Sequence, residues 1–496
     1  MMSKTFPGGY NFKGFEGQPK PQIVSLDAPR KVIIPLSQGF GASLEPLVKI
    51  GDKVYAGQVI ARDDGSVSST IHSSINGKVL EIKKMNYFKR EISMVVIESD
   101  GTGEDYRKIE GYSAQWEKLS SEEIERILYT SGVTSLDREG IPTRFKTSII
   151  GPLEVENLII HGVGSEVYNT SLELLLKGKE VYKFVEGIKI LKRIMPQATV
   201  HLALNKGKKP VIERIRKLTS TLPRFKIYPM VPKYPQGYDE VLVPIILNKK
   251  FPYGYSAANV SIVVLNIQAV VSVFEAVAEG KPLIERKIAL CGSCFKENIH
   301  VNVKVGTPLK DIIKDRLKKD GPSRIVLNSL LTGPELNDFS LPIDRTMSQL
   351  IAIPEDAERK FLAFARPGLR KDSYTRSFLS NFLKAKKRVD TNLCGEQRPC
   401  IQCGYCIDVC PVRIIPTLLY RYFKSGGTEI LMKYGIFNCI DCNLCTYLCP
   451  SKLPLSKSLK DAKARLIESG CDHSLCILPK FNMKGLNEYK GVKVIR

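Results

Sequence analysis

The fold of this chain is indicated by a cysteine run that reads Cys400-Ile-Gln-Cys403-Gly-Tyr-Cys406-Ile-Asp-Val-Cys410-Pro411. The pattern recurs further along as Cys439-Ile-Asp-Cys442-Asn-Leu-Cys445-Thr-Tyr-Leu-Cys449-Pro450. Both runs have the spacing C-x2-C-x2-C-x3-C-P, which is typical of thiolate ligation to [4Fe–4S] clusters. The repeated pattern therefore predicts a ferredoxin-like module that holds two clusters.

The spacing also predicts which cysteines share a cluster. Three thiolates on one tight loop can cap three irons of a cube, whereas the fourth thiolate points away from it. Two such runs exchange their fourth ligands. One cluster is expected on Cys400, Cys403, Cys406 and Cys449, and the other on Cys410, Cys439, Cys442 and Cys445.

Zinc is the alternative metal, because thiolates at C-x2-C spacing also suit Zn²⁺. A zinc site needs two C-x2-C pairs, whereas each run here is a triple followed by C-P. The spacing therefore favours iron and sulfide. The other cysteines show no comparable pattern; they are Cys291, Cys294, Cys394, Cys471 and Cys476.

The charge of the chain is strongly positive, with 74 Lys and Arg against 51 Asp and Glu and a formal net charge of +23. A solvated lysine-rich surface is the simplest explanation. No zinc-finger, helix-turn-helix or stacking-aromatic motif indicates nucleic-acid binding. A positive face would also steer small acidic electron carriers towards the chain. We therefore expect an acidic ferredoxin or flavodoxin as a partner, and no nucleic acid.

No segment of the sequence predicts a direct membrane span. The N-terminus lacks the apolar stretch of a signal peptide, which predicts a cytoplasmic chain. The most apolar window, 258–278, is interrupted by polar residues, and a span needs about 20 largely apolar residues. The window predicts a buried strand followed by a core helix, so any membrane attachment should come through partner subunits.

Three regions before the cysteine runs have distinct patterns. Residues 32–99 carry short strands punctuated by glycine, as in a small barrel or sandwich. Residues 120–290 alternate strand and helix patterns, which predicts an α/β domain of the nucleotide-binding kind. Thr307 and Pro308 predict a helix start, with Thr307 as the N-cap and Pro308 as the first helical residue.

Residues 48–79 resemble the hammerhead of lipoyl and biotinyl domains. In those domains a lysine on the hairpin between the two halves is modified. The hairpin here is Asp63-Asp64-Gly65-Ser66-Val67 and has no lysine. We therefore expect a structural barrel without a swinging arm, and we expect His72 to be packed or hydrogen-bonded and not a ligand.

From about residue 30 to 460 the chain resembles the RnfC family, which supplies one subunit of the Rnf ion-translocating oxidoreductase. The motifs that carry the resemblance are Glu45-Pro46-Leu47-Val48, Ile71-His72-Ser73-Ser74, Gly77, Lys281-Pro282-Leu283-Ile284-Glu285-Arg286, Gly306-Thr307-Pro308 and the two cysteine runs. The unit after residue 286 is similar to the soluble-ligand-binding β-grasp (SLBB) domain of that family.

The predicted fold class is multidomain α+β. Its parts are a barrel-sandwich (lipoyl-like) β domain at 1–115, a Rossmann-like α/β domain of the flavin/NADH type at 116–285, an SLBB-like β-grasp domain at 286–355, a basic linker helix at 356–394, a dicluster ferredoxin domain at 395–460 and a tail at 461–496.

The resemblance implies a peripheral subunit on the cytoplasmic side of the inner membrane, with other complex subunits as partners. In the family, the complex couples electron flow between reduced ferredoxin and NADH to the movement of Na⁺ or H⁺. This subunit normally carries FMN and the NADH site.

A second resemblance concerns the basic segment. Residues 364–369 and 377–380 are similar to a stretch of the NqrA subunit of the Na⁺-translocating NADH:quinone reductase, which shares the architecture but typically lacks the clusters. Residues 359–390 contain ten basic residues against two acidic ones. They predict an amphipathic helix that docks on the core or, alternatively, on a membrane partner, anionic headgroups or an acidic carrier.

The flavin and nicotinamide loop of the family has the form G-L-G-G-A-x-F-P-T, and its small residues let backbone amides approach phosphate. Charged side chains stand here in place of the two glycines and the alanine. The matching stretch is Ser135-Leu136-Asp137-Arg138-Glu139-Gly140-Ile141-Pro142-Thr143. This loop is predicted to be degenerate, because two of the new side chains would repel a phosphate.

The second family loop, N-G-A-E-C-E-P-Y, reads His161-Gly162-Val163-Gly164-Ser165-Glu166-Val167-Tyr168 in this chain. Gly164 replaces one glutamate, whereas Glu166 is kept. We therefore predict an RnfC-like protein that relays electrons through its clusters without its own NADH site and with FMN doubtful. The alternatives are a quinone-reductase-like subunit whose clusters are structural and an FMN-dependent NADH dehydrogenase subunit.

Overall fold

The computed structural model describes residues 4–39, 43–62, 69–102, 105–134, 136, 149–150, 155–164, 166–250, 257–318, 323–355, 386–391, 397–470 and 482–483. The strands are β1 (Ile23–Ser25), β2 (Lys31–Pro35), β3 (Lys53–Val54), β4 (Val59–Ala61), β5 (Ile71–His72), β6 (Gly77–Tyr87), β7 (Arg90–Ser99), β8 (Ile149–Ile150), β9 (Asn157–Gly162), β10 (Thr199–Asn205), β11 (Phe225–Met230), β12 (Ile262–Asn266), β13 (Glu285–Cys291), β14 (His300–Lys304), β15 (Ser323–Leu327), β16 (Gln349–Pro354) and β17 (Asn482–Met483). The α-helices are Ser121–Thr130, Leu172–Leu175, Glu180–Ile194, Lys209–Leu218, Asp239–Leu247, Ile267–Glu279, Leu309–Ile313, Tyr405–Asp408, Pro416–Lys424, Thr428–Lys433, Leu444–Tyr447 and Leu455–Glu468.

The N-terminal β domain consists of a four-stranded antiparallel sheet, in the order β2-β7-β6-β3, and the ribbon β4-β5. Alternate residues of β2, Val32 and Ile34, point into its core, where they meet Val95 and Ile97 of β7. The small β domain that the glycine-punctuated strands predict is therefore present. The hairpin 63–67 lies outside the described residues.

The α/β domain has a four-stranded parallel sheet in the order β11-β10-β9-β12. Leu158 and Ile160 of β9 face one core and Ile159 faces another, because helices cover both faces of a parallel sheet. The window 258–278 forms β12 and the helix Ile267–Glu279, as its pattern predicts. Within the described ranges, no helix has the length and apolar character needed to cross a membrane.

The third unit is a mixed five-stranded sheet in the order β1-β14-β13-β16-β15. Its edge strand β1 comes from the segment that the sequence assigned to the first domain, and it pairs in parallel with β14 through Ile23 and His300. The helix of this unit begins at Leu309, with Pro308 and not Thr307 as its N-cap. The hydroxyl of Thr307 instead donates to the carbonyl of Lys304, 2.8 Å away.

The C-terminal module is a set of short helices around the two cysteine runs. Its longest helix, Leu455–Glu468, passes the boundary predicted at residue 460. It does so because Leu459 and Leu466 are buried against Leu419 and Leu431 of the same module. Residues 356–385, most of the predicted linker helix, and the tail beyond 470, except β17, lie outside the described residues.

Residues 4–16 form an extended N-terminal arm that joins the other units. Lys4 pairs with Met230 at the end of β11, Tyr10 pairs with Tyr234, and Phe15 pairs with Lys387. The amide of Gly9 donates to the carbonyl of Val409 in the first cysteine run, 2.8 Å away. The arm therefore lies between the α/β domain and the cysteine module.

His72 on β5 is buried beside a buried arginine, Arg345, whose guanidinium donates to the carbonyls of Gly132 and Thr70. Burial, and secondly the charge of Arg345, lowers the pKa of His72 to about 3. An unfolded histidine has a pKa of about 6.5. Because the unfolded chain binds this proton first, the free energy of unfolding should fall as the pH drops from about 6.5 towards 3.

His72→Gln tests this dependence. The variant should flatten the pH dependence of the free energy of unfolding between pH 6.5 and the onset of acid unfolding, by up to about 1.4 kcal/mol per pH unit. Chemical denaturation at a series of pH values measures the slope. An unchanged slope in the variant would contradict the assignment.

Candidate metal centre

The two cysteine runs adopt the same backbone conformation. Gly404 and Asn443, which precede the third cysteine of each run, both have positive φ, at 77° and 64°. Gln402 and Asp441, which precede the second cysteine of each run, also have positive φ, at 56° and 54°. Turns of this kind point successive N–H groups into a concavity that suits anionic sites such as iron–sulfur clusters. Each third cysteine then lies in a one-turn helix.

The structure gathers the eight cysteines into two sets. The thiol of Cys406 lies within electrostatic range of the thiols of Cys400, Cys403 and Cys449. The thiol of Cys445 lies within range of those of Cys410, Cys439 and Cys442. We call the first set the outer group and the second set the inner group. This is the arrangement that an exchange of fourth ligands requires, and ligation itself stays a prediction.

The two groups differ in burial. Cys410, Cys442 and Cys445 of the inner group are buried, whereas Cys406 is the one buried member of the outer group. Ile401, between the first two cysteines of the outer group, is 65% exposed. The outer group therefore lies near the surface, and the inner group lies in the interior.

Burial also sets the protonation of the thiols. It raises the pKa of Cys442 to about 12 and the pKa of Cys439 to about 11, and it raises the pKa of Cys406 to about 11. These thiols are therefore protonated at neutral pH when no metal is bound. A metal must displace their protons, which couples metal binding to pH.

Backbone N–H groups surround the sulfur atoms. The amides of Val412, Arg413 and Ile414 point at the sulfur of Cys410. The amide of Gln402 donates to the sulfur of Cys400 over 3.4 Å. Hydrogen bonds to sulfur are among the levers that set the potential of an iron–sulfur cluster. The donor set and its hydrogen bonds therefore fit two [4Fe–4S] clusters.

A zinc site differs from a cluster site, because its thiolates converge on one ion at about 2.3 Å each, whereas those of a cluster surround a cube of four irons. Across the described part of the chain, no three Cys, His, Asp or Glu side chains are gathered closely enough to hold one metal ion. Zinc and iron–sulfur occupancy are distinguished directly by metal and sulfide analysis.

The inner group contacts the α/β domain. The hydroxyl of Tyr234, in the segment after β11, donates to the carbonyl of Cys442 over 2.8 Å. Tyr234, Tyr238 and Phe6 share a hydrophobic cluster with Val409 and Cys442. Sequence reasoning missed this contact, because no local pattern links residues so far apart in the chain.

The flavin-type loops are partly described. Ser135, Asp137, Arg138, Glu139 and Gly140 lie outside the described residues.

Gly164 and Glu166 of the second loop are described. A Cβ on Gly164 would come within 3.0 Å of the amide of Asn169. A carboxylate oxygen of Glu166 accepts a hydrogen bond from the Ser329 hydroxyl over 2.6 Å.

Among the described residues, two polar side chains near this edge of the sheet are buried with no hydrogen-bond partner from that part of the chain. They are the Asn205 carbonyl oxygen, at the end of β10, and both amide atoms of Gln236, in the segment after β11. The carboxyl ends of parallel strands are where ligands bind in open α/β sheets. A polar ligand at this edge could satisfy these atoms, and the sequence did not single out either residue.

Three family models match the chain. They are the RnfC barrel sandwich hybrid domain at residues 4–102, the Nuo51 FMN-binding domain at 128–275 and the 4Fe-4S dicluster domain at 399–453. The third match covers both cysteine runs, so two [4Fe–4S] clusters are the cofactors of this module.

Relatives are similar over most of their length. The chain is 28% identical to the C subunit of the proton-translocating ferredoxin:NAD(+) oxidoreductase complex of Clostridium ljungdahlii, covering 84% of each chain. It is 25% identical to the C subunit of the Na(+)-translocating ferredoxin:NAD(+) oxidoreductase complex of Acetobacterium woodii, over 80% of this chain and 82% of that protein. It is 27% identical to the C subunit of the ion-translocating oxidoreductase complex of Rhodobacter capsulatus, over 90% and 80%.

Among solved structures, an NAD+-reducing [NiFe]-hydrogenase in the H2-reduced state is 12% identical, with a TM-score of 0.43, over 75% of this chain and 71% of that one. A likeness at this TM-score supports no inference about the chain. The family models and the full-length relatives agree with one another and with the order of the units in the structure. Over most of its length the chain is therefore similar to the C subunits of Rnf-type ion-translocating oxidoreductase complexes.

Proposed function

We propose that this chain is the iron–sulfur electron-transfer subunit of a membrane-bound, ion-translocating oxidoreductase complex of the Rnf type. It relays electrons between a soluble carrier and the membrane subunits, and it is held peripherally on the cytoplasmic side of the inner membrane. The names of its relatives and the dicluster domain support this proposal. We also assign the parallel α/β unit to the Rossmann-like class and the mixed sheet to the SLBB-like β-grasp class.

One observation carries the proposal: the two cysteine groups are adjacent. The thiol of Cys445 in the inner group lies within electrostatic range of Cys406 in the outer group. Both residues share one hydrophobic cluster with Leu453 and Leu455. We expect these apolar side chains to exclude water from the space between the groups.

The two cysteine groups have different expected roles, because the outer group lies near the surface and the inner group lies in the interior. When bound, each [4Fe–4S] cluster supplies reversible one-electron oxidation and reduction. The outer group, next to the exposed Ile401, is placed to exchange electrons with a partner. The inner group is shielded by the α/β domain and the N-terminal arm. No general acid or nucleophile is required for this activity.

The chain is not expected to oxidise NADH by itself. In the sequence, Asp137, Arg138 and Glu139 replace the small residues of the phosphate-binding loop. In the structure, Glu166, the acid that the second loop keeps, is engaged by Ser329 of the neighbouring sheet unit. Both features support a degenerate NADH site.

The decisive experiment is anaerobic spectroscopy of the purified chain with iron, sulfide and flavin analysis. We expect about eight irons and matching sulfide per chain, reduction by dithionite and by reduced ferredoxin, and no bleaching by NADH. About two zinc ions per chain, or clusters that reduced ferredoxin does not reduce, would contradict the proposal.

The alternative is an FMN-dependent NADH dehydrogenase subunit. The match to the Nuo51 FMN-binding domain favours it, as do the unpartnered polar atoms of Asn205 and Gln236. Stoichiometric FMN in the purified protein, together with cluster reduction by NADH, would establish this alternative in place of the proposal.

The excess of basic residues in the cysteine module supports an acidic ferredoxin or flavodoxin as the carrier. Residues 397–470 contain ten Lys and Arg against five Asp and Glu. The ammonium of Lys424 lies 6.0 Å from the ring of Tyr420, which packs against the outer group. Opposite charges on such surfaces raise association rates, and salt weakens the effect.

We therefore expect Lys424→Glu to slow electron exchange with an acidic ferredoxin about three- to tenfold at low salt. The difference should disappear at high salt. Stopped-flow reduction at several salt concentrations measures it. Lys217→Glu, the same charge change on the exposed side of the α/β domain, is the matched control. Equal effects of the two variants would place the docking surface elsewhere.

A further inference from the structure

We infer that Tyr234 is a positioning residue that sets the reduction potential of the cluster on the inner cysteine group. The inference rests on the proposed iron–sulfur loading of that group. It goes beyond ligation, because Tyr234 belongs to the α/β domain and lies 208 positions before the cysteine that it contacts.

Tyr234 contacts the inner group through a hydrogen bond to the peptide of Cys442. The Tyr234 hydroxyl donates to the Cys442 carbonyl over 2.8 Å, and both partners are buried. The positive end of the O–H dipole therefore points at the peptide of a cysteine in the inner group. In a low-dielectric interior such a dipole acts strongly on a nearby charge. It favours the reduced cluster, which carries one more negative charge.

The Tyr234 donor is also held in place. The Tyr234 ring packs edge-on against Tyr238 and Phe12, with centroids 5.8 Å and 5.9 Å away. The backbone of Tyr234 exchanges two hydrogen bonds with Tyr10 of the N-terminal arm. A phenol hydroxyl carries its proton at neutral pH, so the fixed Tyr234 side chain is a donor.

A second buried hydroxyl, that of Tyr238, lies next to the Tyr234 hydroxyl. The hydroxyls of Tyr238 and Tyr234 are 3.1 Å apart. Each hydroxyl has one hydrogen, and that of Tyr234 is committed to Cys442. Tyr238 therefore donates to Tyr234 at this distance, in preference to Glu166 at 3.5 Å. Donation from Tyr238 polarises the Tyr234 hydroxyl and strengthens its bond to Cys442, since linked hydrogen bonds reinforce one another.

The test is a redox titration of the full-length protein, followed by the electron paramagnetic resonance of each cluster. Tyr234→Phe keeps the ring and removes the donor, so the potential of one cluster should become more negative while the other stays constant. Tyr238→Phe should shift the same cluster in the same direction by a smaller amount. Tyr228→Phe removes a hydroxyl that is bonded to His201 in the same domain, and it is the matched control.

The outcomes separate this inference from the function on which it rests. A graded shift, Tyr234→Phe above Tyr238→Phe with no effect of Tyr228→Phe, supports the positioning role. Full iron content with unshifted potentials, or equal shifts of both clusters, overturns it and leaves the proposed function standing. A wild-type chain without about eight irons would instead contradict the function. Lower thermal stability without a change of potential would mean that Tyr234 has a purely structural role.

Discussion

Cys410→Ala is expected to remove the cluster of the second cysteine run, although Cys410 belongs to the first run. The structure places its thiol within range of Cys439, Cys442 and Cys445. A [4Fe–4S] cluster that loses one of four thiolates is left with an open iron. We expect the iron content to fall from about eight to about four per chain, with the loss confined to the inner group.

Cys449→Ala is the reciprocal variant, because Cys449 follows the second run but lies with the outer group. It should spare the inner cluster and remove the outer one. Iron and sulfide analysis with paramagnetic resonance distinguishes the two residual clusters. Cys294→Ser, outside both runs, is the control and should keep all the iron. Loss of the same cluster in both alanine variants would show that each run binds its own cluster without exchange.

The grouping of the thiols in space could be predicted from sequence because the relevant geometry is local, whereas ligation of each cluster stays a prediction. The spacing of each run, its trailing proline and its repetition all lie within about fifty residues. The buried strand and helix at 262–279 were predictable for the same reason. A short continuous apolar run followed by an amphipathic segment, with Asn266 as the cap and Gly280 as the end, contains its own signals.

The contacts between units could not be predicted, since they join residues far apart in the chain. Strand β1 pairs with β14 and not with the first domain. A strand of three residues is too short for its sequence pattern to indicate which sheet it joins. The sequence predicts that the cluster domain ends at residue 460, whereas the helix Leu455–Glu468 continues past it because Leu459 and Leu466 are buried in the module.

For the candidate site as well, local features could be predicted from the sequence and long-range contacts could not. Sequence named the eight thiols but could not rank the two groups by exposure, because exposure depends on what packs over each run. Tyr234, Phe6 and the N-terminal arm cover the inner group, and nothing in the spacing of the cysteines indicates them. The arm therefore lies between the inner group and the α/β domain, and we expect it to hold the two together.

Gly8→Ala tests this role, and we expect it to destabilise the inner cluster strongly. Gly8 has a φ of 66°, a conformation that costs an L-residue about 1–2 kcal/mol. An added Cβ would also collide with the carbonyl oxygen of Cys410, with 2.7 Å to its carbon and 2.9 Å to the carbonyl carbon of Val409. These are backbone atoms of the first cysteine run, so the arm can relieve the collision only by separating from that run.

Gly101→Ala provides the matched control. Gly101 has a similar φ of 73°, but an added Cβ would meet no atom of the described residues within 4 Å, so we expect this variant to carry the conformational cost alone. We expect Gly8→Ala to cost about 2 kcal/mol more than the control, which corresponds to a roughly thirtyfold faster release of iron from the inner group in denaturant. Anaerobic bleaching kinetics with an iron chelator measure both rates. Because the outer group does not touch Gly8, its release should change little, and equal rates for Gly8→Ala and Gly101→Ala would mean that the arm does not hold the inner group in place.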